Sequence, residues 1–391
     1  MTREFDIIIF GATGYTGQLI SEYLVSGYSA QTKIAIAGRN EYKLKTLRRE
    51  LDKPVEVLIG DSSDLETMRS IASRTRLVVS CAGPFILYGS NLVQACAEKG
   101  TDYVDVTGET YWSSQMLAAH GEVAKNTGSR IVSMCGFDCV PSDLGVYLLQ
   151  TQAIKDRGRP FERVKMRVQA LRGGWLGGSQ ATMQDMRARM ANQPELISFE
   201  MDPFGLCPGF EGASQPPGHE PAFDDELDSW AAPFIMAGIN SKIVHRTNVL
   251  LGLPYGDSFL YDEMCSTGPG EAGKAAVEQS IATMNGFNPD GTNTPLKPGV
   301  GPNKAVREAG HYLLSYYGVE DGRIVAQIDI SDNRDPGAGS TCKLVGESAM
   351  CLLNDGITVS GGFWTPASAM GEQLAKRLKA NSTIKIEYRS V

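Results

Sequence analysis

Phe5–Gly17 reads FDIIIFGATGYTG. Ile7, Ile8, Ile9 and Phe10 form a short apolar run of the kind that makes a buried parallel strand. Gly11, Gly14 and Gly17 then open a helix expected over Gln18–Ser26. Gly11 permits the tight turn, Gly14 lets a phosphate approach the backbone, and Gly17 lets the helix pack close on the strand. With Thr13, Tyr15 and Thr16 between them, these glycines are expected to hold a pyrophosphate on free N–H groups, where the helix dipole favours negative charge. Glycine triplets also occur in ordinary turns; the strand before and the helix after supply the context that a dinucleotide site requires.

The next strand, Lys33–Gly38, bears on which dinucleotide. It ends in Arg39 and Asn40, with Lys43 one turn on. An NAD-preferring fold places Asp or Glu there, about 20 residues past the glycines, to hold the ribose 2′-hydroxyl. No carboxylate stands at that end, so Arg39 and Lys43 are expected to pair with a 2′-phosphate, which favours NADP(H). The bland alternative is two solvated charges at the start of a surface helix. Val55–Ile59 is a third strand, followed by Asp61 and Ser62 on the adenine edge. Leu77–Cys81 is a fourth, ending in Ala82, Gly83 and Pro84, small residues against which a nicotinamide ribose can lie. A helix over Asn91–Lys99 and strands over Tyr103–Val106 and Arg130–Met134 complete the alternation. Such alternation implies βαβ units and a doubly wound parallel sheet, with ligands beyond the carboxyl ends of the strands and the Cys81–Tyr88 loop as a site segment.

At 391 residues the chain can form two domains. Its net charge of −8 excludes a basic field for nucleic acid. The eight cysteines have no zinc or redox spacing, so reduced thiols and a cytoplasmic setting are expected. His120, His219, His245 and His311 are too dispersed for a metal site. Arg3 and Glu4 lead straight into the first strand, without the shape of a signal peptide. No apolar run reaches the roughly 18 residues of a membrane span. After a helix at Leu144–Ile154, Glu162–Ala170 alternates like a strand with one wet face. A glycine-rich Gly173–Ser179, a helix at Gln180–Asn192, and irregular segments at Pro203–Ala222 and Phe287–Pro302 follow. Strands are expected at Lys242–Leu251, His311–Gly318 and Arg323–Ser331, and helices at Thr341–Leu353 and Pro366–Leu378. The expected organisation is a Rossmann domain over 1–145, completed by helices in 341–391. A second mixed α/β domain, on a largely antiparallel sheet, is expected over 146–340 for substrate or dimerisation.

Several segments together resemble one family. They are GATGYTG at 11–17, AGR at 37–39, CAGPFILYG at 81–89 and YVDVTGE at 103–109. Further on come CGFDCVPSDLG at 135–145, WAAPFIMAGIN at 230–240, DPGAGST at 335–341 and GGFWTPASAMG at 361–371. The chain is identified as similar to the saccharopine dehydrogenase-like oxidoreductases, in the branch of the mycobacterial trans-acting enoyl reductases. The resemblance implies a Rossmann domain, a pyridine nucleotide, and reduction of an enoyl thioester made by a polyketide synthase. Eukaryotic relatives imply peripheral lipid association, and analogy suggests a homodimer. Saccharopine reductases carry G-x-D-P-G-x-x-H where this chain has Gly136 to Asp143. The first Gly and the Asp match, but Asp143 stands in place of the His.

Enoyl reduction moves a hydride to Cβ and a proton to Cα, so it needs a held nicotinamide and donors for the thioester oxygen, not an acid–base triad. Asp138, Ser142 and Asp143 lie past the sixth strand, where they could orient substrate or relay a proton. Ser142 could instead cap the following helix, a role worth about 1 kcal/mol. Tyr88 is the favoured tyrosine for the nicotinamide end, ahead of Tyr103 near the fifth strand, beside Asp105 and Glu109. Cys81, with no cation beside it, reads as a small strand residue more than a nucleophile. Arg172–Ser179 could cover the substrate. Trp230, Phe234 and Met236 could line an acyl groove, though such a cluster is more often core. Arg187 and Arg189 could form a basic mouth, though a solvated helix face is the more ordinary role. Three functions stay open: an NADPH-dependent enoyl reductase, an imine reductase, and a non-catalytic nucleotide-binding scaffold at a lipid surface or synthase.

Overall fold

Seven short strands run parallel in the first of two sheets. The computed structural model describes residues 3–285 and 296–389. Its first half alternates β1 (Phe5–Phe10), α1 (Tyr15–Tyr28), β2 (Ile34–Gly38), α2 (Glu41–Glu50), β3 (Glu56–Ile59), α3 (Leu65–Ser73) and β4 (Thr75–Ser80). The short α4 (Phe85–Tyr88), α5 (Ser90–Lys99), β5 (Asp102–Asp105), α6 (Thr110–Thr127), β6 (Arg130–Val132) and α7 (Val140–Arg157) follow. Strands buried on both faces need helices on both sides, which is why they read as continuous apolar runs. The second half holds β7 (Arg163–Arg172), α8 (Gly177–Met190), α9 (Pro194–Met201), β8 (Ala222–Asp224), β9 (Ser229–Pro233), α10 (Ala237–Leu250) and β10 (Leu260–Gly268). Then come α11 (Gly270–Asn285), α12 (Lys304–Ala309), β11 (His311–Glu320), β12 (Arg323–Asp332), α13 (Thr341–Asn354), β13 (Gly362–Trp364), α14 (Pro366–Asn381) and β14 (Lys385–Arg389).

The first sheet has the order β13-β6-β5-β4-β1-β2-β3, with the crossover at β1/β4 that marks the ligand crevice of a doubly wound fold. The second has the order β14-β12-β11-β7-β10-β9-β8; it is antiparallel except for the parallel pair β7–β10. β13 therefore returns to the first sheet, whereas β14 closes the edge of the second. Ile7, Ile9 and Val79 of the first sheet share one apolar cluster with Val164, Met166 and Tyr316 of the second, joined through α7, α13 and α14.

Two expectations need correction. Lys242–Leu251 is not a strand but most of α10. Lys242 through Asn248 are buried on all sides, polar residues included, and this tertiary burial overrides the β-preference of Ile243, Val244 and Thr247. The helix expected from Leu144 begins earlier, at Val140, with Cys139 at the N-cap; Ser142 is inside it and caps nothing. Most of the irregular segment expected at Phe287–Pro302 lies outside the described residues.

Candidate functional site

At the β1–α1 turn Gly11 has φ of +78°, and a Cβ there would stand 2.8 Å from the Ala82 nitrogen. The turn thus needs glycine both for its backbone and for the close passage of the β4 loop. A Cβ on Gly17 would come within 3.0 Å of the Ala12 Cα and closer still to the Gly11 carbonyl oxygen. Helix α1 starts from Gly14 with no side-chain cap and no acidic residue in its first turn. The N–H groups following Gly14, on Tyr15 and Thr16, thus stay available to an anion, and the residues fit a pyrophosphate. The Thr13 carbonyl is tied to the Gln18 amide at 3.2 Å, which fixes the loop's outer edge.

Beyond β2, Arg39 and Lys43 are exposed and are free of ion pairs among the described residues. Asn40 caps α2, its side-chain oxygen accepting from the Lys43 N–H at 2.9 Å. Asp61 folds back on Ser63, whose N–H and hydroxyl both donate to it; these bonds hold its carboxyl below the usual range. The Ser62 carbonyl accepts from the Asn91 amide at 2.8 Å. Tyr88 needs correcting: its ring is exposed and lies 5.9 Å from the Arg39 guanidinium. It belongs to the Arg39 end of the crevice, because α4 carries it back toward β2.

At the other end, Cys81, Ala82, Gly83 and Pro84 run from β4 into α4, with Cys81 N–H bonded to the Phe10 carbonyl. Burial pushes the Cys81 thiol well up, so it stays protonated. Glu109 holds this loop: its carboxylate accepts from the Phe85 and Ile86 N–H groups at 2.7 and 2.8 Å. Tyr103, within β5 between β4 and β6, is fully buried and cannot meet a substrate. Asp105 is equally buried; it accepts from the Thr107 and Met134 N–H groups and ties β5 to β6, while burial pushes its carboxyl up to about 6. Asp138 differs from all of these. It is half-buried, has no hydrogen-bond partner among the described residues, and faces Gly108, where a Cβ would be 3.4 Å from its oxygen. Burial alone pushes its carboxyl up to about 6.

Ser142 and Asp143 are not in the crevice. Asp143 is buried and accepts from the Thr247 hydroxyl and, at 2.7 Å, from the Ala367 N–H at the start of α14. It joins α7, α10 and α14, and burial pushes its carboxyl up to about 7. Ser142 lies beside Glu263, a buried carboxyl on β10 that accepts from the Tyr261 hydroxyl and the Asn240 amide and is pushed up to about 7 by burial. Local sequence offers no signal for Glu263, because its partners come from three separate segments.

These two carboxyls give a stability prediction. Their folded-state pKa values exceed the unfolded ones, so the folded chain binds more protons and stability falls as pH rises toward and through 7. Each contributes a loss on the order of 1 kcal/mol between pH 6 and pH 8. In Glu263→Gln the share of Glu263 disappears because the amide does not titrate, and the unpartnered Asn240 Oδ1 can turn to accept from the new amide N–H. Urea unfolding at both pH values checks this: an unchanged difference between pH 6 and 8 in the variant would refute it.

The second half of the chain covers the crevice. Gly174 packs against Pro302, Gly177 N–H donates to the Val300 carbonyl at 2.9 Å, and Gly174 N–H donates to Asp335 at 3.0 Å. From there α8 crosses to Glu109, which the Thr182 hydroxyl approaches at 3.4 Å. Ile86, Trp112, Met186 and Leu196 line a small recess beside that contact. Phe234 is core, the ordinary role for such a cluster, and Trp230 packs on Phe223 and under Lys274; Met236 is half-buried before α10. Arg189 is paired with Asp185, and Arg187 is exposed.

A glycine turn into an uncapped helix, at the switch point of a parallel sheet, defines a dinucleotide-binding fold of the Rossmann class. Residues 7–132 match the family model described as the saccharopine dehydrogenase NADP binding domain. A trans-acting enoyl reductase of Mycobacterium leprae is 33% identical over 98% of this chain and 97% of its own. One from Mycobacterium tuberculosis is 33% identical over 96% of each. The fold is also that of the L-Glu-forming saccharopine dehydrogenase of Saccharomyces cerevisiae, with a TM-score of 0.56 at 13% identity over 99% and 100% of the two chains. The chain belongs to the saccharopine dehydrogenase-like oxidoreductase family, in the branch of the mycobacterial trans-acting enoyl reductases. Among the described residues no helix is long and apolar enough to cross a membrane, and no side-chain cluster suits a metal.

Proposed function

We propose that this chain is an NADPH-dependent reductase of an activated C=C bond, acting on a carrier-bound or lipid-like enoyl thioester. The observation that carries the reading is Asp138: an unpartnered carboxyl with a raised pKa, beside Gly108 at the carboxyl edge of the sheet. Kinship with enoyl reductases over the whole chain supports the substrate class. Gly11, Gly14 and Gly17 hold the pyrophosphate, Arg39 with Lys43 holds the 2′-phosphate, and Cys81–Pro84 supports the nicotinamide ribose. NADPH, when bound, supplies the hydride that goes to Cβ of the enoyl group. Asp138 gives its proton to Cα as the negative charge on the thioester oxygen collapses, and regains one from water. Glu109 keeps the Pro84–Ile86 backbone in place while this happens.

The test is NADPH fluorescence titrated against NADH, followed by NADPH decay over enoyl thioesters and over imines. Turnover of the thioester alone supports the proposal; turnover of imines alone, or of neither, rejects it. Arg39→Ala should weaken NADPH at least tenfold and leave NADH within twofold, as loss of a charged pairing of about 1.5–3 kcal/mol requires. Unchanged NADPH affinity would reject the assignment of Arg39.

A further inference from the structure

The residue that meets the glycine loop from the other half of the chain is Arg307, on α12. Its guanidinium donates to the Tyr15 hydroxyl and to the Pro302 carbonyl, both at 2.9 Å, and stands 5.9 Å from the Tyr15 ring. The Tyr15 hydroxyl itself donates to the Pro302 carbonyl. Gly301 packs flat on the same ring, leaving no room for a Cβ. Tyr15 is the first residue of α1, so this clasp closes on the helix end whose N–H groups await the diphosphate.

Arg307 is half-buried and has no ion pair among the described residues; Glu22 feels its charge without bonding to it. A partly buried guanidinium held only by a phenol and a carbonyl retains donors and an uncompensated charge. Its backbone is anchored too, because the Asp335 N–H donates to the Arg307 carbonyl at 2.9 Å. Asp335 in turn holds Gly174 and the turn before α13. The clasp is thus one end of the bridge that runs through Gly174 and α8 to Glu109, at the opposite end of the crevice.

We infer that Arg307 is a positioning residue for the dinucleotide: it supplies positive charge to the diphosphate from the second half of the chain and, with Tyr15, holds the crevice closed over it. This rests on the proposed binding of NADPH. It makes the second domain part of the cofactor site, not merely of the substrate site.

The experiment compares Arg307→Ala, Arg307→Lys and Arg39→Ala with the unaltered protein, using two probes. These are NADPH and adenosine 2′-monophosphate, which keeps the 2′-phosphate and lacks the diphosphate. Arg307→Ala is expected to raise the NADPH dissociation constant about tenfold and to speed NADPH release in stopped flow. It should leave 2′-monophosphate binding within twofold, whereas Arg39→Ala weakens both probes. Arg307→Lys, which keeps the charge, should recover at least half of the lost affinity on a logarithmic scale. NADPH affinity and release unchanged in Arg307→Ala, beside a weakened Arg39→Ala, would overturn the inference and leave Arg307 an interdomain tie. Equal weakening of both probes by Arg307→Ala would overturn it as well. No NADPH binding by the unaltered protein would instead remove the reading on which it rests.

Discussion

Gly17→Ala is expected to raise the NADPH dissociation constant at least 100-fold while the chain still folds. The added Cβ falls within 3.0 Å of the Ala12 Cα and 3.1 Å of its carbonyl carbon. Those are backbone atoms, and Ala12 N–H is bonded to the Ala37 carbonyl, so the turn cannot yield by moving a side chain. The relief available is to push α1 away from β1, which carries the N–H groups at its start out of line with the diphosphate. A shift of that kind removes several charge-assisted hydrogen bonds at once; 100-fold corresponds to about 2.7 kcal/mol, within the range of one or two of them. Gly27, at the far end of the same helix, has no atom within 4 Å of an added Cβ. Gly27→Ala therefore serves as the control and leaves affinity unchanged. Fluorescence titration of both variants measures the contrast, and circular dichroism shows whether each is folded. An affinity for Gly17→Ala within threefold of the parent would mean that the helix end does not hold the cofactor.

The first sheet was legible because its strands are buried on both faces and its turns are marked by glycines whose purpose is local. Ile7–Phe10 and Gly17 carry their reasons within a dozen residues, and Gly11 does so for its positive φ, while the Ala82 backbone that also crowds it comes from the loop after β4. The second half was harder for a physical reason: its polar residues go inward. Lys242 in α10 is buried with its ammonium on the Glu200 and Gly238 carbonyls, and Arg246 is buried on those of Leu206 and Phe363. A helix that buries such groups loses the apolar stripe by which helices are read, and its Ile243 and Val244 then suggest a strand. Helix α9 and the edge strands β8, β13 and β14 are too short to show a period.

Long-range bonds also limited the site. Asp143 occupies the position of a family histidine, and its proximity to Asp138 in sequence suggests chemistry. What decides its role is the Ala367 N–H, 224 residues away, which makes it the anchor of α14. Tyr88 sits in the right loop, but α4 turns it toward Arg39. By sequence Glu109 is only a carboxylate near a strand end; its two bonds to Phe85 and Ile86 make it the support of the loop between β4 and α4. Asp138, six residues past the end of β6, is half-buried and has no hydrogen-bond partner among the described residues, so no long-range bond assigns it a structural role.

Asp138→Asn tests that assignment with the largest expected effect on rate. Asparagine has nearly the same shape and fits the same space facing Gly108, so NADPH affinity should stay within twofold. What is lost is a proton that can be given away, and general acid catalysis is worth about 10²–10⁴ in rate. A fall in kcat of at least 100-fold on an enoyl thioester is therefore expected. The sign of the pH dependence follows from the raised carboxyl. With a pKa of about 6, Asp138 is mostly protonated below that value and loses its proton above it. The kcat/KM of the parent enzyme should be level at low pH and fall as pH rises through about 6, toward tenfold per unit. The variant has no such group, so its residual rate should lose that inflection. A kcat within threefold of the parent would exclude Asp138 as the donor. So would a variant profile that keeps the fall near 6, since the titrating group would then be another.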